Sequence, residues 1–289
     1  MSSMKELKQR IANISSTKQL IKAMDIVAST KLHRARAQLE GVRPIYLELK
    51  RIVEALGRQE RVQEHTFYAQ RQVRSSLYII LTSDRGFAGG FNANIIAKAL
   101  AHMEQGKNEK ILIVGSKGYA YFKKRGKRII RKIIDLPDTQ VYYGTESIAR
   151  WVIELYCSGE VDEVFLAYTQ FENVLSQVPI VEQLLPVVRA TSVLAEEGER
   201  KYEPELSIFS DHLIPFYLHM NLFRAFSESH TSEQAARMVS MDAADKNAEE
   251  MIEELTRIFN RKRQAGITQE LSEIVGSTNI LNKGGLHGN

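Results

Sequence analysis

The sequence predicts an α/β protein whose two chain ends pair as a long antiparallel coiled coil and whose middle forms an α/β globular domain. Three observations carry this. The last third is continuously helix-forming, the N-terminal stretch keeps a heptad seam, and short strands alternate with helices between them.

Residues 211–281 contain one proline, Pro215, near their start, and are dominated by good helix formers. Apolar residues recur at Met238, Met241, Ala244, Ala248, Met251, Leu255 and Ile258, in steps of three and four. At a rise of about 1.5 Å per residue such a helix is on the order of 100 Å long. A compact domain of this chain length is only about 40 Å across. The helix therefore requires a long companion.

The N-terminal stretch supplies one. Leu7, Ile11, Ile14, Ile21, Ala28, Leu32, Ala35, Leu39, Val42, Tyr46, Leu49, Val53 and Leu56 keep a seven-residue register, with polar Lys18 and Asp25 at two seam positions. A strict heptad sustained this far implies a coiled coil rather than an ordinary amphipathic surface helix. Pro44 removes one backbone donor within it and is expected to kink it. Residues 59–74 read as a polar connector.

In the middle, Leu77–Leu81 reads as a buried strand, Lys110–Gly115 as a second, Ile129–Ile134 as a third and Val161–Phe171 as a long fourth. Helices are expected near residues 94–103, 117–124 and 145–158, and residues 178–210 read as loop-like, with room for short strand pieces. Alternation of this kind argues a mostly parallel, Rossmann-like sheet covered by helices. The expected domains are residues 1–58 (N-terminal coiled-coil helix), 75–205 (α/β domain), 210–282 (C-terminal coiled-coil helix) and a tail at 283–289.

Composition narrows the function classes. The chain is 44% apolar over 289 residues, enough for a real core, with a net charge of +4. The excess is local: within residues 4–36, Lys5, Lys8, Arg10, Lys18, Lys22, Lys31, Arg34 and Arg36 face only Glu6 and Asp25. Such a basic stretch suits nucleic acid, an anionic membrane or an acidic protein loop. It has no aromatic stacking platform, and its apolar seam asks for another helix, so no nucleic-acid partner is expected. Cys157 is the single cysteine, which excludes an intrachain disulfide. No apolar leader and no run of 18 apolar residues occurs, so membrane contact is expected only through partners.

Candidate sites are few. Asp84, Arg85, Gly86, Gly89 and Gly90 lie in the loop 83–92, at a strand's carboxyl end where α/β folds bind ligands. The glycines do not form G-x-G-x-x-G, and no P-loop occurs. A tight turn that docks a partner is the better reading, with a nucleotide site as its rival. The seven histidines are scattered without metal-ligand spacing, and no nucleophile motif occurs. No catalytic constellation, cofactor or metal is expected. Gln264 and Thr268, four apart in the last helix, share a face and could offer a partner a polar catch.

Four stretches carry a family resemblance. Lys22-Ala-Met-Asp-Ile-Val-Ala28, Thr82-Ser-Asp-Arg-Gly-Phe-Ala-Gly-Gly-Phe-Asn92, Ser232-Glu-Gln-Ala-Ala-Arg-Met-Val-Ser-Met241 and Arg263-Gln-Ala-Gly-Ile-Thr-Gln-Glu-Leu-Ser-Glu-Ile-Val275 resemble, in order, signatures of the gamma subunit of F-type ATP synthases. Phe87-Ala88 stands where Leu-Cys is common, and Asp25 where Glu is usual.

The resemblance implies a central rotor shaft. The paired ends would turn inside three alpha and three beta subunits, and the α/β part would sit with epsilon on the membrane c-ring. ATP and Mg²⁺ would be bound by beta and alpha, not by this chain. Met24, Arg237, Arg263, Gln264 and Thr268 carry over as contacts to the alpha-beta ring, and Tyr202 and Glu203 as a foot toward the c-ring and epsilon. The expected location is peripheral, on the cytoplasmic face of a bacterial cell membrane. A free-standing coiled-coil scaffold with an α/β head is the alternative.

Overall fold

A computed structural model describes residues 4–59, 64–188 and 206–284, with 206–208 and 275–284 by backbone alone. The elements are α1 (Met4–Leu56), β1 (Ser76–Leu81), α2 (Phe91–Met103), β2 (Lys110–Val114), α3 (Ser116–Lys124), β3 (Ile129–Ile133), a 3₁₀ turn (Asp138–Gln140), α4 (Val141–Cys157), β4 (Glu163–Phe171), β5 (Gln177–Leu185) and α5 (Leu206–Gly284). They form two compact units, one of Met1–Ile26 with Met241–Asn289 and one of Val27–Ser240.

The larger unit is built on a five-stranded sheet in the order β3-β2-β1-β4-β5. Strands β1 to β4 are parallel, and β5 runs antiparallel to β4. Every residue of β1 is buried, as expected for a central parallel strand covered on both faces. Its side chains alternate. Leu77, Ile79 and Leu81 join a core with α1, α4 and α5, whereas Tyr78 and Ile80 join a second core with α2 and α3.

The heptad seam of α1 is confirmed position by position in its burial. Ala28, Leu32, Ala35, Leu39, Val42, Tyr46, Leu49, Val53 and Leu56 are buried in the larger unit. Pro44 lies inside α1 without ending it. Helix α5 runs past α1 in the opposite sense. Leu32 clusters with Ala235, Arg43 pairs with Glu228, and Tyr46 stacks on Tyr217 at 6.0 Å between ring centroids.

In the smaller unit, Leu7 is buried, and Ile11, Ile14, Lys18, Ile21 and Asp25 are half-buried along the same seam. Lys18 meets Glu249 of α5 at 3.1 Å, so this polar seam position is occupied by a cross-helix ion pair.

Four expectations need correction. The loop-like stretch with short strand pieces expected from residue 178 opens instead on a full nine-residue strand, β5 at Gln177–Leu185. Pro179 is tolerated there because β5 is an edge strand, where a missing N–H need not break an inner ladder. The connector after α1 is not simply polar, since Phe67 and Tyr68 are buried. The Tyr68 hydroxyl donates to the Val53 carbonyl, and the Val187 amide to that of Phe67. In α5, Met251 and Ile258 point outward, and Ile252 and Phe259 take the half-buried positions in their place. Helix α4 begins at Val141 rather than Thr145, after a 3₁₀ turn.

Candidate functional site

The loop after β1 stands at the point where the strand order reverses, between β1 and β4. Open α/β sheets bind ligands in that crevice. Here the chain's own groups tie the loop toward β2 and β3. The Asp84 carboxylate accepts from the Ser116 amide at 2.7 Å and from the Asp135 amide at 3.0 Å, and the Ser116 hydroxyl donates to the Asp84 carbonyl. An acidic side chain thus occupies the α3 N-terminus, an end that otherwise suits an anion.

Asn92 closes the loop from the other side. Its side-chain carbonyl accepts from the Ser83 amide at 2.9 Å, and its NH₂ donates to the Ser83 hydroxyl at 2.7 Å. Two glycines answer real constraints. Gly115 has φ 92°, and a Cβ there would lie 2.2 Å from the Thr82 carbonyl oxygen. Gly89 has φ 52° and admits the Ser240 hydroxyl of α5. Arg85 is exposed, and Phe87 is 67% exposed with φ 63°.

The loop docks α5. Arg237 is 6% exposed, and its guanidinium donates to the Gly86 carbonyl, to Gln234 and to Glu233 at 2.7–3.2 Å. The resemblance marks Arg237 as a contact to other subunits, and within the chain its guanidinium makes these three bonds.

A second polar cluster carried no sequence motif. The Arg224 guanidinium donates to Tyr168, Glu182 and Asn221 at 2.6 Å each, and lies 3.5 Å from Glu228. It also sits over the Tyr46 and Tyr168 rings, at 4.2 and 4.9 Å from their centroids. Arg43 pairs with Glu228 and donates to the Phe171 carbonyl. One buried cation thus ties α1, β4, β5 and α5 together.

Burial disfavours the Arg224 cation, but Glu182 and the tyrosines outweigh it and hold its pKa above the ordinary value. Burial raises the Glu182 carboxyl, which Arg224 and Lys50 only partly offset. Such a network leaves no sequence trace because its members come from four separate elements.

The third feature is the outward surface of the smaller unit. Leu20, Met24 and Ile26 of α1 are 36–67% exposed. On α5, Met251, Ile258, Ile267, Leu271 and Ile274 are 38–61% exposed. Arg263, Gln264 and Thr268 are also exposed, and the Thr268 hydroxyl donates to the Gln264 carbonyl one turn back. From Arg263 to Ile274 every side chain is exposed. The structure brings Met24 and the 263–268 group into one unit.

Tyr202 and Glu203 lie outside the described residues. Cys157 is exposed on α4, and burial raises its thiol pKa. Among the described residues, no group of three or more His, Cys, Asp or Glu could hold a metal ion, and no helix is long and apolar enough to cross a membrane.

A family model described as ATP synthase matches residues 3–281. The chain is 39% identical over 282 residues to the ATP synthase gamma chain of Desulforamulus reducens, covering 97% of this chain and all of that one. It is 40% identical over 288 residues to the gamma chain of Geotalea uraniireducens, covering 97% and 99%. Among solved structures, it resembles a chain of the Euglena gracilis mitochondrial ATP synthase OSCP/F1/c-ring, with TM-score 0.68 and 18% identity over 99% of this chain and 97% of that one. It also resembles a chain of the Tetrahymena thermophila mitochondrial ATP synthase central stalk and c-ring, with TM-score 0.62 and 23% identity over 78% and 99%. Identity of this order along essentially the full length of both chains places the protein in the ATP synthase gamma chain family, as a subunit of that complex.

Proposed function

We propose that this chain is the central rotor shaft of a bacterial ATP synthase, coupling ion flow through a membrane c-ring to catalysis in an alpha-beta ring. The observation that carries the reading is the outward apolar surface of paired α1 and α5, whose large apolar side chains stand exposed among the described residues. An isolated coiled coil keeps such residues inside its seam. Apolar side chains left on the opposite faces suit a helix pair that is itself enclosed by partners.

The shaft acts as a differential ligand. A rotating, asymmetric surface can change a catalytic site only by contacting its conformations unequally. Arg263, Gln264 and Thr268 offer side-chain hydrogen bonds to the ring, and Met24 an apolar contact. The basic residues of α1 face an acidic loop of beta. Tyr202 and Glu203 belong to the foot, with epsilon and the c-ring. ATP and Mg²⁺ stay on beta and alpha, and this chain contributes no catalytic group or cofactor ligand. Its place is peripheral, on the cytoplasmic face of the membrane, held there by its partners.

The test is reconstitution. Cognate alpha and beta subunits are mixed with and without this chain, and ATP hydrolysis and complex stoichiometry are measured. One copy per ring with cooperative hydrolysis is expected. A chain that neither joins the ring nor alters turnover overturns the reading. In the assembled enzyme, Gln264→Leu should impair coupled rotation, and unchanged synthesis would remove the catch. Met24→Lys should lower proton pumping at equal hydrolysis, and wild-type pumping would remove that contact.

A further inference from the structure

The turn between α3 and β3 carries a dense run of positive charge. Lys123 and Lys124 end α3, and Arg125, Lys127 and Arg128 follow in the turn. Arg131 and Lys132 lie on β3. Residues 111–134 contain no aspartate or glutamate, and the flanking acids, Glu109 and Asp135, stand at either end of the run. Lys123, Lys124, Arg125, Arg128 and Lys132 are exposed, and Lys127 and Arg131 are half-buried.

The fold gathers these charges on one edge. Helix α3 starts beside the strand-end loop, where Asp84 meets Ser116, and ends at the opposite, amino edge of the sheet. There the Ile111 amide donates to the Arg128 carbonyl as β3 comes in beside β2. Gly126, at φ 65°, makes the turn. Strand β3 lies at the edge of the sheet, so one side of the cluster has no neighbouring strand among the described residues.

The cations are held in place but not neutralised. Lys123 and Lys132 lie over the same Tyr119 ring, at 5.5 and 4.7 Å from its centroid. Arg125 lies 3.6 Å over the Tyr121 ring and Arg131 4.8 Å over that of Trp151. A ring face attracts a cation without cancelling its charge. Elsewhere in this unit Lys31, Arg43, Arg224 and Arg237 each have a carboxylate partner. None of the seven cations of this edge has one among the described residues. Charges on an edge strand guard it against pairing with another sheet, which accounts for Arg131 and Lys132. That role does not account for the five in the turn.

We propose that this turn and strand edge form a contact surface for anionic phospholipid headgroups. The inference rests on the rotor reading, which sets the α/β part beside the membrane, and it adds a direct contact to those made through partners. A cluster of about four to eight Lys and Arg next to a bilayer suits a layer of negative headgroups. The exposed cations belong to a turn and an edge rather than to a cleft, which suits a diffuse layer of charge better than one shaped ligand. Nucleic acid is a poorer fit, because stacking needs free aromatic faces, and the half-buried Tyr119 and Tyr121 already carry cations on theirs.

The experiment mixes the full chain with vesicles of phosphatidylglycerol and phosphatidylcholine, or of phosphatidylcholine alone, and measures co-sedimentation. Binding to the anionic vesicles only is expected, weakening as salt rises. Lys123→Gln, Lys124→Gln and Arg125→Gln together should weaken it about a hundredfold. The charge-conserving set Lys123→Arg, Lys124→Arg and Arg125→Lys should keep it. Lys5→Gln, Lys8→Gln and Arg10→Gln, in the more thinly charged α1, should have a much smaller effect. The Gln variant of the turn should still join alpha and beta and hydrolyse ATP cooperatively, which shows that it folds and tests the rotor reading separately. A chain that joins the ring yet binds both vesicles equally, affinity unchanged in the Gln variant of the turn, a larger loss from the α1 variant, or tighter binding of RNA or polyglutamate than of anionic vesicles would each overturn the proposal.

Discussion

Arg224 shows how much a single buried charge can organise. It has three hydrogen bonds of 2.6 Å and two aromatic faces, and its removal leaves Glu182 and Glu228 in a low-dielectric setting with less compensation. Arg224→Met is expected to cost about 3–5 kcal/mol, the usual range for breaking a buried pair, measured by urea unfolding. The loss should depend on pH. Burial already raises the Glu182 carboxyl, and without the guanidinium it rises further. A carboxyl raised in the folded state contributes stability below its unfolded pKa and loses it as pH rises through the folded value. The variant's deficit should therefore be smaller near about pH 5 than near about pH 8. A deficit that is flat with pH would show that Glu182 is balanced by another group. Asp84→Ala tests the strand-end loop at the same scale. Losing the contacts to Ser116 and Asp135 should cost about 1–2 kcal/mol, in the range of a helix N-cap, and free the α3 N-terminus for anions.

Between the two long helices, legibility differed for a physical reason. The seam of α1 was readable because each inward position carries the heptad, and even polar Lys18 and Asp25 fall on it. In α5 the same exercise misplaced two residues. Met251 with Ile252, and Ile258 with Phe259, are adjacent apolar pairs, and periodicity alone does not choose between neighbours. Burial chooses Ile252 and Phe259. Ile252→Ser should therefore lower the thermal midpoint and the amide protection of the smaller unit, whereas Met251→Ser, at a 54% exposed position, should leave both near wild type. Equal effects would mean the helix pair is not held by this seam. Strand β5 was legible only as short strand pieces because Pro179 and Pro186 flag loop. Only its edge position in the sheet makes a strand proline acceptable.

At the scale of the whole molecule, the sequence by itself determined the class of the protein. It specified two long terminal helices, a strand–helix middle without a phosphate-binding loop, and four co-linear stretches resembling ATP synthase gamma subunits. These are properties of local periodicity and of short contiguous motifs, so one dimension is enough to read them. The tertiary structure alone decided which partners the special residues meet. It turned Arg237 inward onto Gly86 and put the Asp84 carboxylate on the α3 N-terminus. It also gathered Arg43, Tyr168, Glu182, Arg224 and Glu228 from four elements into one buried network. Each of these depends on groups far apart in the chain. Electrostatics and burial act over distances in space, which separation along the sequence does not measure.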